Sequence, residues 1–222
     1  MNTIDWTPYY KLDEHNEPCH AQMAYEPLMN PDQSILCMNF DTANTYQDYQ
    51  NKLGFIPDIV HEFYSMELKY LTKFKDYSWA PTVLEVTSDK IFIEWNKVTC
   101  NDIIQNGELL DTYCPNWKQQ LKTIILDHLN EKVYRLSLYP HCFFIKDRQL
   151  TAFDCYMSFD FDNCVLPADR VKGLIHRTTE NRIAEASEDS VINMKTLFLK
   201  GLETHIEWPD NYLTEIYNEL YN

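Results

Sequence analysis

One stretch of the chain gathers the residue types that metal and acid–base chemistry use. Residues 138–156, LYPHCFFIKDRQLTAFDCY, contain His141, Cys142 and Asp154, with Asp160 and Asp162 shortly after. Carboxylate and imidazole donors together suit Mn²⁺ or Zn²⁺ better than Mg²⁺, which prefers oxygen ligands and water. Asp154 with Asp160 or Asp162 and His141 is therefore the candidate metal set. The competing reading is architectural: Asp154 caps a strand end and His141 is a hydrogen-bonded core histidine, because perturbed carboxylates are often only structural. The run Ser158-Phe159-Asp160-Phe161-Asp162-Asn163 alternates apolar and acidic residues, but it lacks the glycine and closing glutamate of a calcium loop. Cys142 beside His141 suggests a thiol nucleophile and its base. Neighbours on a strand point to opposite faces, however, so this spacing argues against the pair. His128, His176 and His205 show no ligand spacing and are expected on helix surfaces.

These residues must be positioned by short elements. Residues 1–33 carry Pro8, Pro18 and Pro27, with Pro31 close behind, which favours extended or irregular edge structure over helix. Ser34–Phe40 reads as a strand. From Asp58 to about Lys75 the spacing predicts a helix, with Ile59, Phe63, Met66, Tyr70 and Phe74 at three- and four-residue steps and Pro57 just before its first turn. Glu67 and Glu62 lie on this helix, and ordinary amphipathic patterning makes Glu67 an exposed helix-face charge. Trp79-Ala80-Pro81 stops the helix. Thr82–Thr87 and Lys90–Trp95 follow as two strands joined by Ser88-Asp89.

Residues 96–116 are polar, contain Asn106-Gly107 and Pro115, and read as a connection near a domain boundary. Trp117 to about Asn130 is a second amphipathic helix, with Trp117, Leu121, Ile124, Ile125 and Leu129 on one face. Short strands are expected at Val133–Tyr139, Cys142–Ile145 and Leu150–Phe153. Helical segments are expected at 168–180, 190–205 and 209–221, with Pro209 opening the last. The order gives an α+β chain of two unequal parts: a sheet-containing part over 1–96 and a mainly helical part over 97–222.

Composition narrows the function. Apolar residues make up 45% and aromatics 14%, enough to exclude wholesale disorder. Lys+Arg number 19 against 34 Asp+Glu, a net charge of −15. That balance argues against generic nucleic-acid binding by phosphate neutralisation. An acidic surface fits a basic protein patch or a metal ion, solubility being the plain alternative. No apolar run approaches the ~20 residues of a membrane span. The opening residues Met1–Trp6 lack the basic and apolar regions of a signal peptide, so the expectation is a cytoplasmic protein with no membrane contact. Seven cysteines occur without a Cys-x-x-Cys pair, which fits buried free thiols in a reducing compartment. Only 4 glycines occur, and no Walker A, His-Glu-x-x-His, Gly-x-Ser-x-Gly or Rossmann pattern is present.

The order of elements, together with residues 138–156, resembles the protein-kinase-like phosphotransferases over about residues 34–180. On that resemblance Asp154, preceded by Phe153, matches the metal-binding aspartate of the Asp-Phe-Gly element, with Cys155 and Tyr156 replacing Phe and Gly. The family's metal-binding asparagine falls on His141 or Cys142. Glu67 matches the helix glutamate that pairs with a sheet lysine, and Glu94, Trp95 and Asn96 stand where adenine binds. The resemblance implies a two-lobe architecture, a small antiparallel-sheet lobe with one long helix beside a mostly helical lobe. It also implies ATP with Mg²⁺ or Mn²⁺ as ligand. The departures are chemical. Residues 1–53 contain no glycine for a phosphate-covering loop. Ser34–Phe40 holds no lysine, the nearest being Lys11 and Lys52. The catalytic aspartate falls on Leu136 or Ser137.

The resemblance thus implies a pseudokinase acting through nucleotide or protein binding, with Glu67 and Asp154 the candidate catalytic residues if any transfer survives. One alternative is an atypical metal-dependent phospho- or nucleotidyl-transferase in which His141 and Asp154 hold the metal. The segment Leu138–Cys142 (LYPHC) is also similar to one in tailed-phage proteins. A third reading follows from charge and aromatic content: an acidic viral protein that occludes a basic host surface in the host cytoplasm.

Overall fold

Alternation of apolar runs with turn residues produces a mixed α/β chain of small antiparallel sheets and helices. The computed structural model describes residues 6–9, 22–27, 34–40, 57–163, 165–167, 191–204 and 206–221. The chain divides into two compact units, Met1–Val98 and Thr99–Asn222. The helix expected at 168–180, and Lys11, Lys52, Cys19, Cys164, His176 and His205, lie outside the described residues.

The first unit is built on strands β1 (Trp6–Tyr9), β2 (Gln22–Pro27), β3 (Ile35–Asn39), β4 (Val83–Val86) and β5 (Lys90–Glu94), with helix α1 (Pro57–Phe74) between β3 and β4. The sheet order is β1-β2-β3-β5-β4, and every neighbouring pair is antiparallel. Pro8 lies in β1, an edge strand, where a missing ladder donor is tolerated. The run Ile35–Met38 is buried throughout, as is Ile91–Ile93, which suits central strands covered on both faces. They pair in the register Ile35↔Glu94 to Asn39↔Lys90. At the other edge β4 leaves Leu84 and Val86 exposed. Tyr64 on α1 fixes the helix locally: its ring meets Phe40 edge-on at 5.5 Å, and its hydroxyl donates to the Thr87 carbonyl at the β4–β5 turn.

Helix α1 buries Phe63, Tyr70, Leu71 and Phe74, the stripe that the spacing predicts. Glu67 corrects one expectation. It is fully buried, not an exposed helix-face charge, because its position on the helix falls inside the apolar stripe between Phe63 and Tyr70–Leu71.

The second unit holds helices α2 (Cys100–Gln105), α3 (Leu110–Tyr113), α4 (Trp117–Asn130), α5 (Met194–Thr204) and α6 (Tyr212–Tyr221). It also holds the strand pairs β6–β9 (Val133–Arg135 with Ser158–Asp160), β7–β8 (Phe143–Lys146 with Gln149–Ala152) and β10–β11 (Val165–Pro167 with Val191–Asn193). Residues 96–116 are therefore not a bare connection. Thr99 caps α2: its hydroxyl accepts from the Asp102 amide at 3.3 Å, while the Asp102 carboxylate accepts from the Thr99 amide at 2.6 Å. This reciprocal cap satisfies helix-end donors in a segment whose apolar content is too low to show periodicity.

Three further boundaries shift. The strand expected over Val133–Tyr139 ends at Arg135, since the chain then bends so that the Leu138 amide donates to the Leu136 carbonyl at 2.9 Å, and Pro140 opens a 3₁₀ turn, Pro140–Cys142. Residues 191–193 are strand, and the Asn193 side chain accepts from the Lys195 amide at 2.9 Å to start α5. Pro209 opens a 3₁₀ turn with Asp210 at φ 60°, and α6 begins only at Tyr212.

The core of this unit is aromatic. Trp117 of α4 stacks on Trp208 at 5.5 Å, Phe143 meets Trp208 edge-on at 5.4 Å, and Trp208 Nε1 donates to the Leu138 carbonyl at 2.6 Å. His128 corrects a second expectation: it sits on the buried face of α4, only 1% exposed. The five cysteines among the described residues are buried thiols outside any disulfide. No described helix is long and apolar enough to cross a membrane.

Candidate metal centre

Asp154 reaches the site through the β7–β8 hairpin. Asp147 and Arg148 both have positive φ, 50° and 64°, as a two-residue type I′ turn requires. The register that this turn sets pairs Phe143 with Ala152, so the residues flanking the strands lie side by side. The Phe153 amide donates to the Cys142 carbonyl at 3.1 Å, and the Cys142 thiol faces the Asp154 carboxylate, Sγ to Oδ2 3.4 Å.

His141 joins them because residues 140–142 are a 3₁₀ turn and not strand. One ligand atom each from His141, Cys142 and Asp154 lies within 4.8 Å of the other two. The strand-alternation argument that separated His141 from Cys142 therefore fails here. Pro140 was the available signal, since a proline favours the first position of a helical turn. His141 is exposed and stacks on Tyr139 at 5.3 Å, while Cys142 and Asp154 are buried. Burial, with the Asp154 charge alongside, pushes the Cys142 thiol well above its ordinary range.

The backbone around Asp154 is held tightly. Asp154 adopts left-handed φ 65°, ψ 56°, a conformation that aspartate tolerates better than most side chains. The Ser137 hydroxyl donates to the Asp154 carbonyl at 2.6 Å. Arg135, 1% exposed, donates from Nε to the Ser137 carbonyl at 3.0 Å, from Nη1 to Cys155 Sγ at 3.1 Å, and from Nη2 to the Phe153 carbonyl. One guanidinium thus ties β6 to the residues on both sides of Asp154. Its planar fork suits such multiple contact, and its Cζ lies over the Phe143 ring, 5.3 Å from the centroid. Sequence reasoning gave neither Arg135 nor Ser137 a positioning role, since nothing local marks the segment they grip.

The other expected residues stand elsewhere. Asp160 is half-buried in β9 opposite Val133, and Asp162 is exposed in the following turn. Among the described residues the ligand cluster includes neither. Glu67, Glu94, Trp95 and Asn96 belong to the first unit. Glu94 is half-buried, Asn96 exposed, and the Trp95 ring buried. The amides of Glu94 and Trp95 donate to the Thr82 and Ser34 carbonyls at 2.9 and 3.1 Å.

No family model and no curated protein matches the chain. Solved structures of WbdD are similar to it. Monomeric WbdD aligns with a TM-score of 0.44 at 11% identity, covering 90% of this chain and 45% of that one. WbdD in complex with a kinase inhibitor gives 0.45 at 12% identity, covering 97% and 53%. WbdD described as a bifunctional kinase-methyltransferase gives 0.44 at 13% identity, covering 90% and 42%. The chain spans about half the length of these solved proteins, and the resemblance to a kinase-methyltransferase is weak.

Proposed function

We propose that this chain is a kinase-like domain that binds the metal-bound phosphates of a nucleotide such as ATP at Asp154 and His141, and that it lacks ordinary phosphotransfer. The observation that carries the reading is the convergence of the His141 ring and the Asp154 carboxylate at the open end of the β7–β8 hairpin. Kinases hold their metal ions with the Asp-Phe-Gly aspartate and with an asparagine five residues after the catalytic aspartate. Counting back five residues from His141 reaches Leu136, so Tyr134-Arg135-Leu136 stands where His-Arg-Asp is expected.

The arrangement supports binding more than turnover. Leu136 has no proton-accepting group, and Ser137 gives its hydroxyl to the Asp154 carbonyl. A positioned general base contributes about 10²–10⁴-fold, so its loss removes that factor even where phosphate and metal are well held. Arg135 and Ser137 meanwhile keep Asp154 in the backbone conformation that presents its carboxylate beside His141.

Thermal melting with ATP, ADP and GTP, each with and without Mg²⁺ or Mn²⁺, tests the reading. A ligand at 100 times its Kd stabilises the native state by about 2.7 kcal/mol. The expected outcome is a metal-dependent rise in Tm that Asp154→Ala abolishes. No shift with any nucleotide refutes the binding reading. Transfer of radiolabelled phosphate from ATP by the wild-type chain refutes the loss of catalysis and favours the atypical transferase.

A further inference from the structure

We infer that His141, Cys142 and Asp154 form a three-ligand site for a thiophilic divalent cation of the zinc class, with Cys142 binding as thiolate and the fourth position open. The inference rests on the reading above in taking His141 and Asp154 as ligands, and adds the thiolate and the identity of the metal.

The Cys142–Asp154 edge already has the right dimension. With Zn–S of about 2.3 Å and Zn–O of about 2.0 Å, a tetrahedral centre sets its sulfur and oxygen ligands about 3.5 Å apart. The observed Sγ to Oδ2 distance is 3.4 Å. The third ligand atom lies within 4.8 Å of both, and a tetrahedral edge to nitrogen is about 3.3–3.6 Å. Closing that difference takes a movement of about an ångström by the exposed His141 ring, while the two buried ligands stay in place.

Chemistry selects the metal. Sulfur, imidazole nitrogen and a single carboxylate make a borderline-soft donor set that favours Zn²⁺ and Co²⁺ over Mg²⁺. Three protein ligands with one position left over is the pattern of zinc sites that accept water or substrate. The site is one-sided: Cys142 and Asp154 close it from the interior and His141 opens it to solvent, so a cation enters past the imidazole. Binding breaks the Cys142 S–H bond and forms a metal–sulfur bond. The proton that the Cys142 thiol donates toward Asp154 leaves to water, and the carboxylate oxygen that accepted it turns to the metal.

The test is Co²⁺ titration of the reduced 222-residue chain, followed by displacement with Zn²⁺. The expected result is one equivalent of Co²⁺ with a thiolate-to-cobalt charge-transfer band and the intense visible bands of tetrahedral cobalt. The band should be lost in Cys142→Ser, kept in Cys114→Ser, bleached by Zn²⁺ and untouched by excess Mg²⁺. His141→Ala changes an exposed residue and leaves the core intact. It should weaken Zn²⁺ binding by at least about 10–100-fold, the loss that even an outer-shell partner brings. A chain that binds no equivalent of Co²⁺, or whose charge-transfer band survives Cys142→Ser, overturns the inference. So does Zn²⁺ affinity unchanged in His141→Ala, which remains decisive should Cys142→Ser fail to fold. Zn²⁺ binding as described, with no nucleotide effect on melting, supports this inference while refuting the nucleotide reading. A Mg²⁺-dependent nucleotide shift in a chain that binds no Zn²⁺ does the reverse.

Discussion

Acidification from pH 7 to pH 5 should cost the second unit stability through one residue, His128. Its ring lies on the buried face of α4, and Nδ1 sits 2.7 Å from the Ile124 carbonyl. A carbonyl only accepts, so Nδ1 carries the proton of a neutral imidazole. Burial pushes the His128 pKa down from 6.5 to about 3, with the Arg135 guanidinium adding to the effect. Because the folded value lies below the unfolded one, the unfolded chain takes up the extra proton. The stabilisation is whole above pH 6.5 and is lost progressively as pH falls from there toward 3. At pH 5 the unfolded imidazole is almost fully protonated while the folded one remains neutral. The linkage relation then gives a loss of about 2 kcal/mol between pH 7 and pH 5.

The assay is urea unfolding of wild type and His128→Leu at both pH values. Every other titrating group cancels in the double difference. Leucine preserves the apolar face, and the Ile124 carbonyl lies within the helix ladder. The wild type should lose about 2 kcal/mol more than the variant on acidification. Equal losses in the two proteins would refute the claim that His128 is buried and neutral.

Two further predictions concern the framework of the site. Arg135→Met strips donors from the Phe153 and Ser137 carbonyls, each worth about 1–3 kcal/mol when left unsatisfied. Relief of a buried charge offsets part of this, so a net loss of about 2–4 kcal/mol is expected by urea unfolding, and a loss under 1 kcal/mol would contradict the clamp. Thr99→Ala removes the α2 cap and should lower stability by about 1 kcal/mol, with faster amide exchange confined to residues 100–105; uniform exchange across the unit would argue against a local cap.

What the sequence made legible, and what it hid, divides along the range of the forces involved. Helix α1, helix α4 and the β4–β5 and β7–β8 hairpins follow from periodicity and turn residues, which act over a few neighbours. Helix α2 escaped because its stability comes from the Thr99–Asp102 cap more than from an apolar stripe. Burial of Glu67 and His128 escaped for the opposite reason. Both occupy apolar stripes that the spacing marks clearly, and their polarity alone argued for the surface. The expectation followed residue type where it should have followed helical position.

The geometry of the candidate site was half legible. His141 and Asp154 were reached by residue type and through the kinase resemblance, but Cys142 was set aside through a strand that begins only after it, at Phe143. Arg135 and Ser137 could be found only in three dimensions, because the bonds that hold Asp154 join residues 17 and 18 positions apart. Those bonds bear on how the hairpin is used. A left-handed aspartate costs of order 1–3 kcal/mol and persists only where its surroundings over-determine it. Here a buried guanidinium and a buried hydroxyl grip the peptides on either side of Asp154, while its carboxylate faces a thiol and an exposed imidazole. The proposed ligand role and the architectural one part at the carboxylate, which makes Asp154→Asn the sharpest variant. Asparagine tolerates the same backbone conformation, so folding should change by less than about 1 kcal/mol while metal binding falls. A fall in both to the same degree would return Asp154 to a purely architectural role.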